Sequence, residues 1–315
     1  MSQHTPTRWI LTGGVGFLGT NLIHALRPED GEIVVIDRSI QQASSRFPHV
    51  QYVEQDAREV ESYRNWITPG SVIVHMAASS YPGKAERIIE VDIQDNVLGT
   101  IRLANACADH GASALIFFSS GGALYGEQSV QPIREDANPL PISTYGVMKL
   151  ATEHYLRTIH ALRALPIAML RIGNPFGRWH RGQGQGAVNV MFECVRQGKP
   201  ITLWGDGSQT RDFIFAEDVA RAVRTIGLGF REGCDAFNIG TGIGRSLNEM
   251  IELVRRISGI QPTIERLPRR DVDVSANALE CSKIRSRFHW APEIEIKDAM
   301  QQTWEWICTK REEVR

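Results

Sequence analysis

The sequence is poor in the features that mark several protein classes. Cysteine is scarce. Cys107, Cys194, Cys234, Cys281 and Cys308 are five in 315 residues, with neither metal-ligand spacing nor a regular disulfide framework. That usage excludes a disulfide-stapled scaffold and predicts no metal site; it fits reduced thiols buried as small hydrophobes. Net charge is nearly absent as well: 35 Lys and Arg against 36 Asp and Glu leave −1. Nucleic acid and anionic membrane surfaces are thus poor partners, and any basic site must be local. No apolar run reaches membrane length and no secretory pattern is visible, so a cytoplasmic location is expected. There is no internal repeat, low-complexity tract or long linker.

What is present is an alternation. Short apolar runs at 8–12, 32–37, 50–53, 71–76, 113–118 and 167–172 read as buried strands, and helical patterns separate several of them, notably 93–108 and 145–162. Strands alternating with helices imply right-handed βαβ units in an α/β fold with a doubly wound parallel sheet. After about residue 174 the regularity breaks. Gly- and Arg-rich loops at 178–186 and 205–211 alternate with helical patterns at 187–196, 216–227, 246–258 and 297–309. The expected organisation is a dinucleotide-binding domain over 1–174 and a smaller α/β substrate lobe over 175–315, with some segments of the second half returning to the sheet. A ligand would lie at the carboxyl ends of the strands, between sheet and lobe.

The first strand runs into glycines that satisfy G-x-G-x-x-G as Gly14, Gly16 and Gly19, and G-x-x-G-x-x-G as Gly13, Gly16 and Gly19. Such glycines allow a tight turn, close approach of the backbone to a pyrophosphate, and close helix–strand packing. The following helix N-terminus offers amide donors to the phosphates. Asp37, at the end of the second strand, is placed to hydrogen-bond the adenosine ribose and repel a 2′-phosphate, which favours NAD over NADP. Arg38 beside it would instead welcome a 2′-phosphate.

Tyr145-Gly146-Val147-Met148-Lys149 opens a helical pattern after a turn-prone run, with Ser143 or Thr144 as the helix cap. Tyr145 and Lys149 are then i,i+4 neighbours, which brings an ammonium to within one turn of a phenol. A fixed positive charge favours the phenolate, and that makes a general base for an alcohol.

With the glycine loop and the Tyr-x-x-x-Lys helix in this order, the chain resembles the extended short-chain dehydrogenases/reductases, and within them the nucleotide-sugar epimerase branch. Further motifs carry the resemblance over nearly the whole chain: Thr12 to Gly19 (including Phe17 and Leu18) as the phosphate loop, Asp56-Ala57-Arg58, His75-Met76-Ala77-Ala78, and Asp95 to Thr100 with Asn96. Phe118-Ser119-Ser120 through Tyr125-Gly126, Arg171 to Gly177 with Asn174, Gly205 to Phe213 with Arg211, and Arg270 to Asp273 complete the set.

The resemblance implies that NAD is held by the phosphate loop, Asp37, Asp56, Ala57, Met76, Ala77, Ala78, Asn96, Ser119, Tyr145 and Lys149. It implies that a nucleotide sugar is held by Asn174, Ala187, Val188, Trp204, Arg211 and Arg270, the two arginines clamping the diphosphate. Tyr145 would take the proton of a sugar 4-hydroxyl while C4 gives hydride to the nicotinamide. A 4-keto sugar would then turn about its diphosphate tether and take the hydride back on the other face. Asn277 falls where relatives restricted to glucose and galactose place a bulky tyrosine, so N-acetylhexosamines are expected to fit. The helices at 93–108 and 145–162 are those through which the family dimerises, so a homodimer is expected.

One motif departs from the family. The hydroxyl four residues before the Tyr125-Gly126 pair, normally Ser or Thr, is replaced by Gly121. Ser120 is the nearest hydroxyl, and turning it inward would need the freedom of Gly121 and Gly122; a backbone amide or a water is the alternative. Gly122 and Ala123 replace the acidic pair of the 4,6-dehydratases, which argues against elimination chemistry. Two other readings stay open at this point: a 4-ketoreductase acting on a deoxysugar nucleotide, and a catalytically silent NAD-binding scaffold.

Overall fold

A computed structural model describes residues 8–41, 47–79, 89–180, 186–270 and 273–309. Its centre is a seven-stranded parallel sheet. In chain order the strands are β1 (Arg8–Thr12), β2 (Glu32–Asp37), β3 (Gln51–Glu54), β4 (Val72–His75), β5 (Ala114–Ser120) and β6 (Ile167–Ile172). The second half adds β7 (Asn174–Phe176), β8 (Ile201–Trp204), β9 (Thr210–Phe215), β10 (Cys234–Ile239), β11 (Gly244–Ser246), β12 (Ile264–Leu267) and β13 (Ala276–Asn277). The sheet order is β10-β6-β5-β4-β1-β2-β3, so the direction of winding reverses between β1 and β4. In such sheets the crevice at the reversal binds ligands. β10 pairs in parallel with β6, Phe237 opposite Leu170, and brings a strand from the second half into the main sheet.

The strands are apolar runs rather than alternating ones because both faces are covered. Trp9, Leu11, Val35, Val74 and Ile116 pack on one face against Leu22, Val219, Val223 and Ile226 of the helices Phe17–Ala25 and Ala216–Gly229. Ile10, Val34, Ile73 and Leu115 pack on the other face against Leu103, Cys107, Leu156 and Ile159 of the helices Gly99–Asp109 and Thr144–Arg163. A third core, with Phe192, Met250, Val254 and Met300, holds the lobe together. There β9 is flanked by β7, β11 and β13, and β8 pairs with β12. No helix among the described residues is long and apolar enough to cross a membrane.

One element differs from its sequence pattern. The expected helix over 93–108 begins as a π-helical stretch, Ile93–Leu98, and becomes α-helical only from Gly99. Inside the wide turns, Asn96 Nδ2 donates both to the Asp92 carbonyl (3.2 Å) and to Ser79 Oγ (3.0 Å). Single π turns of this kind turn a side chain away from the regular helical face.

Candidate active site

The carboxyl ends of β1, β2 and β4 surround a cavity of about 250 Å³. Of the residues expected to hold the cofactor, Gly13, Gly16, Asp37, Arg38, Asp56, Ala57, Met76, Ala77, Ala78 and Asn96 line it. Phe17, Leu18 and Gly19 stand behind them on the first helix. Gly13 has φ +75° and a Cβ there would sit 2.8 Å from the Ala77 nitrogen, so only glycine closes the floor. A Cβ on Gly19 would come within 2.5 Å of the Gly14 backbone, which is how the helix start is drawn onto the strand turn. Asp37 Oδ2 accepts from the Val15 amide (3.1 Å) and ties the glycine turn to the end of β2. These features fit a dinucleotide: a side-chain-free cradle at a helix start, with an acid at the end of the next strand.

The wall beyond Asp37 is a closed polar network that includes residues with no role assigned from the sequence. Arg58 donates to Asp56 (2.9 and 2.7 Å) and to Asp95 (2.8 Å). Arg58's hydrogen bonds hold the Asp56 carboxyl below its ordinary range. Arg58 stood in the Asp-x-Arg motif, but its partner Asp95 is 37 residues away. His75, at the end of β4, is buried between Thr12 Oγ1 (2.7 Å) and Thr100 Oγ1 (2.9 Å). The Thr100 hydroxyl gives its proton to the Asn96 carbonyl (2.5 Å), so it accepts from Nε2–H of His75, and Nδ1 accepts from Thr12. Burial lowers the His75 pKa to about 3, which keeps the ring neutral.

Ser143 caps the helix that carries Tyr145 and Lys149: its Oγ accepts from the Gly146 amide (3.2 Å). Lys149 is buried, and its ammonium donates to the Phe118 carbonyl (2.7 Å) at the end of β5. It lies 4.7 Å from the Phe117 ring centre and 5.6 Å from that of Tyr145. The expected phenolate is not what the protein alone provides. Burial pushes Tyr145 up to about 12 and Lys149 down to about 8, the latter against the pull of the nearby Glu153 carboxylate.

The two serines before the glycine pair separate as neighbours on a strand must. The Ser119 hydroxyl turns from the cofactor side and donates to Glu153 Oε1 (2.6 Å); its expected cofactor role is thus limited to its backbone. Glu153 also takes two donors from Arg171 (3.1 and 2.7 Å), and Arg171 donates to Tyr125 Oη (3.0 Å), a buried cluster that no sequence motif disclosed. Ser120 lies on the opposite side, half-buried, and its hydroxyl makes no hydrogen bond within the described residues. The space that a side chain at position 121 would need is filled. A Cβ on Gly121 would meet Leu279 Cδ1 at 2.6 Å and the Arg171 carbonyl at 3.0 Å. Asp212 accepts from the Leu279 amide (3.0 Å) as well as from Thr241 and Gly242, and so fixes the residue that closes this gap.

On the lobe side, Arg211, Arg270 and Trp204 come together. Arg211 donates to the carbonyls of Thr210 and Val274 (2.8 Å each) and lies 3.8 Å from Asp273. Arg270 forks onto the same Asp273 (2.9 and 3.1 Å) with its guanidinium 5.0 Å from the Trp204 ring centre. Arg269 joins them by donating to the Asp273 carbonyl and Ser275 Oγ. Arg211 and Arg270 share the Asp273 carboxylate, and Glu127 is a further negative charge acting on Arg211. Ala187 starts the helix Ala187–Gln197 at the lobe edge, whereas the Val188 side chain is wholly in the lobe core and can meet a ligand only through its backbone. Asn174 and Asn277 both face the Gly121–Gly122 turn. Asn277 Nδ2 donates to the Gly121 carbonyl (3.0 Å), and the Oδ1 atoms of both residues are buried with no partner among the described residues.

Known proteins share this layout end to end. The chain is similar to a UDP-glucose 4-epimerase of Mycolicibacterium smegmatis, 29% identical over 313 residues that cover 96% of this chain and 99% of the relative. It is also similar to a dTDP-4-dehydro-6-deoxyglucose reductase of Escherichia coli, 27% identical over 312 residues that cover 93% and 95% of the two chains. Its fold superposes on the crystal structure of the Thermus thermophilus UDP-glucose 4-epimerase in complex with NAD, with a TM-score of 0.87, 29% identity, and 96% and 99% of the two chains covered. The sequence profile of one family matches residues 9–240, from β1 through β10, a span that includes the strands of the cofactor crevice. The protein is a member of that family, the NAD dependent epimerase/dehydratases, and NAD is its cofactor.

Proposed function

We propose that the protein is a UDP-sugar 4-epimerase acting on a UDP-hexose or UDP-N-acetylhexosamine. The observation that carries this is the placement of Tyr145 and Lys149 beside β5, at the carboxyl edge of the sheet that holds the NAD crevice, with an arginine-rich lobe to receive a diphosphate. The UDP-glucose 4-epimerase relatives, matched over nearly their full length, support the same reading. Bound NAD would supply the hydride acceptor and, in its oxidised form, a positive charge that favours the Tyr145 phenolate. Tyr145 would take the proton of the sugar 4-hydroxyl and later return it. Lys149, anchored on the Phe118 carbonyl, holds its charge near the phenol ring. Arg211 and Arg270 would keep the diphosphate in place while the sugar turns, and Asn277, in place of a bulkier residue, would admit a 2-acetamido group.

Gly121 favours a second reading, a 4-ketoreductase of deoxysugar nucleotides, as does the similarity to the dTDP-4-dehydro-6-deoxyglucose reductase. We further propose a cytoplasmic homodimer serving polysaccharide precursor synthesis. The exposed Val91, Leu98, Val147, Tyr155 and Leu162 on the helices beside β5 support a shared apolar face. The test of function is incubation of pure protein with UDP- and dTDP-sugars without added cofactor. Interconversion of C4 epimers is expected; turnover of 4-keto sugars alone, with NAD(P)H consumed, would establish the reductase instead. No turnover with any of them, unaltered by Tyr145→Phe, would leave a silent NAD-binding scaffold.

A further inference from the structure

The third group of the catalytic centre is missing at position 121, and the structure closes off its replacement by a side chain. Leu279 fills the space, is fully buried, and has its amide pinned by Asp212. Beside this closed point the described residues leave two acceptors unmatched. Asn174 and Asn277 lie alongside Phe213 and Arg211 of β9, two positions apart and therefore on one face of that strand. Asn277 is 1% exposed, and its Nδ2 is committed to the Gly121 carbonyl, so its Oδ1 has a fixed orientation. The nearest approach to Asn174 Oδ1 from the turn is the bare face of Gly122, where an added Cβ would sit at 3.4 Å with no other residue's side chain in contact. A buried carbonyl oxygen without a donor is destabilising, and two of them facing one glycine pair is a cost without benefit in an unliganded wall.

We propose that Asn174 Oδ1 and Asn277 Oδ1 form a subsite for an O–H donor at the Gly121–Gly122 turn, and that this donor stands in for the absent hydroxyl side chain. The donor is an ordered water: a sugar hydroxyl has a single proton, and once that is given to the carbonyl pair none is left for the reacting oxygen. Acceptors suit this role because a water that gives one O–H to the carbonyl pair keeps its second O–H for the reacting sugar oxygen, as the absent hydroxyl would. Gly122 is then required for its empty face, and Asn277 for an acceptor that a larger apolar residue would remove. The subsite rests on the nucleotide-sugar reading and deepens it.

Two variants test it with different risks to the fold. Gly122→Ala adds one methyl group in ordinary contact with Asn174 Oδ1 and fills the subsite. Asn277→Leu removes the acceptor at similar volume, and with it the Nδ2 bond to the Gly121 carbonyl. Each is expected to lower kcat/KM for a UDP-sugar by about tenfold, through kcat more than KM, with NAD content at the wild-type value; the melting temperature stays at wild type for Gly122→Ala and falls for Asn277→Leu. UDP-hexoses lacking one ring hydroxyl identify the donor. If water fills the subsite, each deoxy substrate loses the same factor in wild type and variants, which supports the proposal. If one deoxy substrate loses as much with the wild type as the variants lose, and the variants lose nothing more on it, a sugar hydroxyl occupies the site and the stand-in is overturned. An active wild type with both variants at its kcat/KM overturns the subsite alone. A wild type that turns over no UDP- or dTDP-sugar overturns the proposed function, and the subsite with it.

Discussion

The two sides of the active site are finished to different degrees. On the cofactor side Asp37, Asp56, Arg58, Asp95 and His75 all have partners within the protein. Asp37 holds the glycine turn, Arg58 bridges Asp56 and Asp95, and His75 is saturated by Thr12 and Thr100. On the substrate side, three arginines share Asp273 and two asparagine oxygens lack donors among the described residues. A wall that holds one ligand continuously gains from being rigid. A wall that must bind and release keeps its charges loosely paired, so that a ligand can take them over at small cost.

Four substitutions and one condition can break this contrast, and the greatest effect is expected at its midline. Tyr145→Phe removes the phenol that faces both sides. Turnover should fall by about 10²–10⁴-fold with the melting temperature unchanged, as checked by epimerase assay and thermal denaturation. Next, the two arginine sites should separate cleanly. Arg270→Ala should raise KM for the nucleotide sugar about tenfold and leave bound NAD intact, whereas Arg58→Met should release NAD and leave binding of free UDP unaltered; calorimetric titration of each ligand distinguishes them. The smallest effect concerns acid. His75 has a folded pKa of about 3 against an ordinary 6.5, so the unfolded chain binds the extra proton between those values. Its contribution to stability is complete above pH 6.5 and is lost progressively as pH falls toward 3. Urea unfolding across that range should show the loss, and His75→Asn should flatten it.

Much of the cofactor side was legible because its parts are local. The glycines, Asp37 and the strand–helix order fall within one short stretch from Arg8 to Asp37, and their spacing alone states the geometry. The pair Tyr145 and Lys149 was legible for the same reason, one helical turn apart. The π-helical start before Gly99 was not, because its cause is a hydrogen bond from Asn96 to Ser79 on another segment. The Ser119–Glu153–Arg171–Tyr125 cluster was equally hidden, since it joins four elements through side chains whose types each have ordinary surface roles. Ionisation was misjudged where sequence supplies only proximity. The expected lowering of the Tyr145 pKa by Lys149 fails because burial, a property of the whole fold, acts more strongly on both groups.

By itself the sequence determined the parallel α/β sheet, the dinucleotide turn, the family, and the juxtaposition of Tyr145 and Lys149 on one helix. These rest on periodicity and on short spacings that the backbone converts directly into geometry. Only the tertiary structure decided what becomes of the gap at Gly121. Leu279 reaches it from far along the chain, placed there by Asp212, and Asn277 is oriented by the carbonyl of Gly121 itself. Whether a missing side chain leaves a space, a closed wall or a subsite depends on which distant residues pack against it, and that is set by the fold as a whole.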